Sequence, residues 1–89
     1  MNEPYLEVTF RKGRAIAAYL YLKRASEDRS ARSRRVEPGL VIDFAASGQP
    51  IGIEVTAPDK LSLTAMNGVL EELGLPPLAP ADLAPLLAA

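Results

Sequence analysis

The chain has 89 residues and a mass of 9.5 kDa, with 48% hydrophobic and 24% charged residues and no Cys, His or Trp. That length suits one domain with a modest core, and the composition excludes disulfides, thiolate metal sites and the imidazole that catalytic triads and zinc-activated water use. The net charge of −1 conceals a split: residues 1–36 hold nine bases and four acids, whereas residues 37–89 hold Lys60 against seven acids.

Tyr5 to Phe10 alternates, with Leu6, Val8 and Phe10 on one side and Tyr5, Glu7 and Thr9 on the other, which predicts a half-buried strand. Arg11-Lys12-Gly13-Arg14 suits a short hairpin turn. A second strand over 14–23 carries Ile16, Ala18, Leu20 and Leu22 on one face and Ala15, Ala17, Tyr19 and Tyr21 on the other. Both faces are fairly apolar, so this strand is central or its second face meets another chain. The segment 25–35 has no apolar residue but Ala. It reads as a loop leading into a short edge strand over 34–37. Pro38-Gly39 marks a turn, and Leu40, Ile42 and Phe44 alternate with Val41 and Asp43 as a third main strand. After a turn at 45–49, Ile51, Ile53 and Val55 alternate with Gly52, Glu54 and Thr56 as a fourth. Gly52 in mid-strand signals a bulge or the close approach of a neighbouring side chain.

Beyond Asp59 the period becomes helical. Leu63, Met66, Leu70 and Leu73 share a face, with Thr64 as a candidate cap and Gly74 at the end. A second helix over 81–87 has Pro80 in its first turn and Asp82 near its positive end. The expected architecture is a single α+β domain over 1–89: an antiparallel meander of about four main strands over 5–57, then a helical C-terminal extension over 59–89. No apolar run approaches the about 20 residues that span a bilayer. Met1-Asn2-Glu3-Pro4 does not read as a signal peptide, so a soluble cytoplasmic protein is expected.

Tyr19-Leu20-Tyr21-Leu22, then Gly39-Leu40-Val41-Ile42-Asp43-Phe44, Gly48 and Ile51-Gly52-Ile53-Glu54-Val55 together resemble the small bacterial proteins of domain of unknown function 2283. Their pattern is an aromatic-apolar strand, Val-x-Asp-Tyr/Phe, a Gly turn and Val-Gly-Ile-Glu. The resemblance covers residues 5–57 and departs at the first turn, where such proteins carry acids and this chain has Arg11-Lys12-Gly13-Arg14. It implies a compact β-meander with a helix and no established activity. It also implies an antitoxin-like or regulatory role beside a small toxin-like partner.

Asp43 and Glu54 point away from the apolar strand faces. With Val41 opposite Glu54, Asp43 lies one diagonal from it, close enough for the two to share a proton or hold a hard cation such as Mg²⁺. Two carboxylates so placed are the one basis here for a metal-dependent or acid/base enzyme. The plainer reading makes them solvated residues or partners of Arg14, Arg34 or Arg35. Residues 23–35 hold six bases and two acids, a pattern that can grip phosphates. The chain's pI of about 5.3 and its few aromatics weigh against nucleic acid, and contact with an acidic protein surface ranks above it. Tyr19 and Tyr21 could form an exposed face for a partner, or lie beneath the chain's own helices. No cofactor is implied. The expectation is a non-catalytic interaction module, a homodimer with Tyr19, Tyr21, Arg32, Arg34, Arg35, Asp43 and Glu54 as contact candidates. In that dimer Arg32, Arg34 or Arg35 would meet Glu71, Glu72 or Asp82 of the other copy. A small protein partner is the alternative occupant.

Overall fold

The computed structural model describes residues 5–22, 29–37 and 39–87. Lys23 at the end of the expected second strand, residues 25–28 of the expected loop and Pro38 of the expected turn lie outside that set. Five strands form one sheet: β1 (Tyr5–Arg11), β2 (Arg14–Tyr21), β3 (Arg32–Glu37), β4 (Leu40–Phe44) and β5 (Pro50–Val55). Their order is β1-β2-β5-β4-β3, and each neighbouring pair is antiparallel. A 3₁₀ turn at Pro58–Lys60 leads into α1 (Leu63–Glu72) and α2 (Pro80–Leu87). The fold is α+β, with five strands rather than four.

The additional strand is β3. It begins at Arg32, ahead of the short edge strand expected from Arg34. Its register sets Arg32 against Phe44 and Arg34 against Ile42, so both arginines occupy the side of the strand that faces the core. Their guanidinium carbons stand 5.2 and 5.4 Å from the centroid of the Phe44 ring. Cation–π contact with an amphipathic side chain thus takes the place of an aliphatic residue. Val36 packs on the core at the next position of the same parity.

Both helices cover one side of the sheet. Ala18, Leu20, Leu40, Ile42, Phe44, Ile53 and Val55 meet Met66, Val69 and Leu70 of α1 and Leu83 and Leu86 of α2. Ser62, not Thr64, caps α1: its Oγ accepts the Ala65 N–H at 3.0 Å, satisfying one of the unpaired donors of the first turn. The helix closes with Gly74 at φ +74° and the Leu75 N–H donating to the Leu70 carbonyl at 2.9 Å, a Schellman ending. Asp82 accepts the Ala79 N–H at 2.8 Å at the start of α2. Asn67 holds the connector between the helices by donating to the Leu78 carbonyl and accepting its N–H, at 3.1 and 2.8 Å.

Two residues expected in the core are outside it. Phe10 is 52% exposed and Ile16 47%. A register shift between Thr9 and Phe10 sets Phe10 opposite Ala15 instead of Ile16, and Ala15 packs against the core. Pairing of β2 with β5 starts at Ala18, so the turn end of the β1–β2 hairpin extends beyond β5.

Candidate functional site

Strand alternation leaves the opposite side of the sheet to Tyr5 and Glu7 of β1, Tyr19 and Tyr21 of β2, Glu54 of β5, Asp43 of β4, and Ser33 and Arg35 of β3. Tyr5, Glu7, Ser33, Arg35 and Glu54 are exposed, and Tyr19, Tyr21 and Asp43 are half-buried. The helices lie on the other side, so the tyrosines are not buried under them.

Gly52 determines how this face is built. It pairs with Tyr21 on one side and with Asp43 on the other. A β-carbon there would fall within the Tyr19 ring, whose Oη, Cζ and Cε2 are the atoms nearest to it. The bare glycine backbone lets Tyr19 lie across β5, and its hydroxyl donates to Asp43 Oδ2 at 2.8 Å. The Ser33 hydroxyl donates to Asp43 Oδ1 at 2.5 Å. Tyr19, Asp43 and Ser33 thus form a hydrogen-bonded line from β2 to β3, and short O–H···O⁻ bonds of this kind are among the stronger neutral-to-charged contacts.

The other half of the face is aromatic. Tyr21 stacks on Tyr5 with centroids 4.6 Å apart and planes 16° from parallel, and meets Tyr19 edge-on at 4.7 Å and 66°. Both spacings fall in the range where aromatic pairs are attractive. The Tyr21 hydroxyl donates to Glu7 Oε1 at 3.2 Å.

The candidate residues therefore divide between two sides. Tyr19, Tyr21, Asp43, Glu54 and Arg35 share the open face, whereas Arg32 and Arg34 sit over Phe44 on the helix side. Val41 stands opposite Glu54 and Asp43 opposite Gly52, the diagonal relation expected. The partners of Asp43 are two hydroxyls rather than the arginines suggested by the sequence, because Arg34 has the wrong parity and Ser33 is the residue directly across. Among the described residues, no group of three acids gathers that could hold a metal ion. Sequence reasoning missed Ser33, Glu7 and Tyr5. Ser33 was accessible only by extending β3 back to Arg32, after which strand pairing places it beside Asp43.

Residues 17–57 match the model of a family described as a protein of unknown function, DUF2283. Over that stretch the chain is similar to DUF2283. That segment runs from β2 through β5 to Ala57 and contains Tyr19, Ser33, Asp43, Gly52 and Glu54, hence the whole hydrogen-bonded line. The match begins at Ala17, leaving β1 and both helices outside it. Neither the curated proteins nor the solved structures include a match to this chain. Among the described residues, no helix is long and apolar enough to cross a membrane.

Proposed function

We propose that this protein is a non-catalytic interaction module that self-associates through the open face of its sheet. The supporting observation is the row of tyrosines on that face, with Tyr19 and Tyr21 hydroxyls already bonded to Asp43 and Glu7. Aromatic rings fixed in advance lose little side-chain entropy on docking, and tyrosine is enriched among the residues that dominate interfaces. Charge favours a copy as the occupant. Glu7 lies on one edge strand and Arg35 on the other. A two-fold axis parallel to the strands would set each against the other's counterpart, two Glu7–Arg35 pairs against one meeting of Glu54 with its own counterpart on the central strand.

Size limits the strength of this association. Five strands at about 4.8 Å, each giving about five residues at about 3.3 Å, make a face of about 24 by 17 Å in plan. That is about half of the 800 Å² per partner found in stable interfaces, so the association is weak and is to be sought at micromolar to millimolar concentration. A small protein partner, in the antitoxin-like arrangement implied by the family resemblance, would use the same surface in a bacterial cytoplasm. Acid/base or metal chemistry at Asp43 and Glu54 has less support, since both Asp43 oxygens already accept hydroxyl hydrogens. Light scattering across that concentration range tests self-association. Wild type should approach the mass of two chains, and Tyr5→Asp should remain a folded monomer. A single-chain mass for wild type at every concentration would sink the homodimer.

A further inference from the structure

The sheet ends at β3, and among the described residues no strand pairs with its outer side. Strand edges of this kind accept an extended segment through backbone hydrogen bonds. Arg29, Arg32, Arg34 and Arg35 fall within seven residues of sequence, and residues 29–36 contain no acid. Arg32 and Arg34 present their charge on the helix side of the edge and Arg35 on the open side. A strand added here would send successive side chains to alternate faces, so acids of either parity would meet an arginine. We infer that β3 is a docking edge for an extended acidic segment of another protein, added as a sixth strand.

A second copy of this chain does not supply that segment. Pairing β3 with its own counterpart would oppose arginine to arginine. Among the described residues, Glu71, Glu72 and Asp82 lie on helices, and the exposed strand β1 offers only Glu7 between Tyr5 and Arg11. Single-stranded nucleic acid fits less well. The aromatic ring nearest these arginines, Phe44, is buried with Arg32 and Arg34 over it, while the tyrosines lie on β1 and β2 across the sheet. Base stacking beside the arginines is therefore not provided for. Arg35 also lies on the open face, so the variant that separates the two surfaces is Arg34→Glu, whose side chain is on the helix side of the edge.

The probe is a short fluorescent peptide of alternating Glu and Thr, titrated with the full chain and read by anisotropy. Saturable binding is expected, about tenfold weaker for Arg34→Glu and about tenfold weaker when alternate peptide amides are N-methylated. Circular dichroism confirms that Arg34→Glu is folded. Equal binding of the N-methylated peptide would reduce the effect to charge alone and overturn strand addition. Tighter binding of an oligothymidylate, or no saturable peptide binding at millimolar concentration, would overturn it as well.

Discussion

Tyr19 can lie across β5 only because position 52 has no side chain, and this makes Gly52 the residue with the clearest energetic test. Alanine in a strand interior ordinarily improves on glycine by restricting the unfolded chain. Here its β-carbon meets the Tyr19 ring, and the ring must leave Asp43 or the backbone must move. Gly52→Ala should cost about 1–3 kcal/mol, the range for overpacking. In a Tyr19→Ser background the same substitution should be neutral or stabilising. Urea unfolding of the four proteins gives the coupling, and an equal cost in both backgrounds would clear Tyr19 of responsibility. A mid-strand glycine signalled a close approach in the sequence. Alternation placed Asp43 and Tyr19 on one side of the sheet. That the tyrosine hydroxyl reaches across an intervening strand depends on side-chain rotamer, for which the sequence carries no periodic signal.

The β1–β2 hairpin turns through Lys12 and Gly13, with φ of +53° and +79°, and Arg11 pairs with Arg14 around them. Two positive φ values in a two-residue loop are the mark of a type I′ turn, whose first position favours Asn. Lys12 holds that conformation at a cost. Lys12→Asn should stabilise by up to about 1 kcal/mol, raising Tm by about 4–8 °C for a domain of this size. A melting temperature that stays level or falls would show that Lys12 compensates through its own contacts. The turn itself was legible from Arg11-Lys12-Gly13-Arg14, as were β1, β2, β4, β5 and both helices, because their apolar residues repeat at period two or at helical spacing. β3 was only half legible, since its core-facing positions at residues 32 and 34 are arginines. The hairpin bulge, which moves Ala15 inward and leaves Phe10 and Ile16 exposed, has no marker in the local residue types.

For the whole molecule, hydrophobic alternation selected the buried side of the sheet, and class and helix placement followed. Strand order did not follow from it, because any antiparallel arrangement with the same parity would satisfy the pattern. The observed order makes the β2–β5 contact, Ala18–Tyr21 against Gly52–Val55, the one neighbouring pair whose strands are not consecutive in sequence. The β1–β2 and β4–β5 pairs can each zip from a short turn, and β3 can add to β4 from the turn at Gly39. Joining β2 to β5 requires closing the long stretch between them, and such closure entropy is lost before the contacts form. The seam should therefore limit the rate of folding. Ile53, paired with Leu20 across the seam and with Ile42 behind it, reports on that step. Ile53→Val should mainly slow refolding in stopped-flow denaturant jumps, whereas Leu86→Ala in α2 should mainly speed unfolding. The reverse pattern would place helix docking before the seam. The DUF2283 match, which starts in β2 and ends just after β5, spans both sides of that seam: it takes in the whole loop whose closure is expected to set the pace.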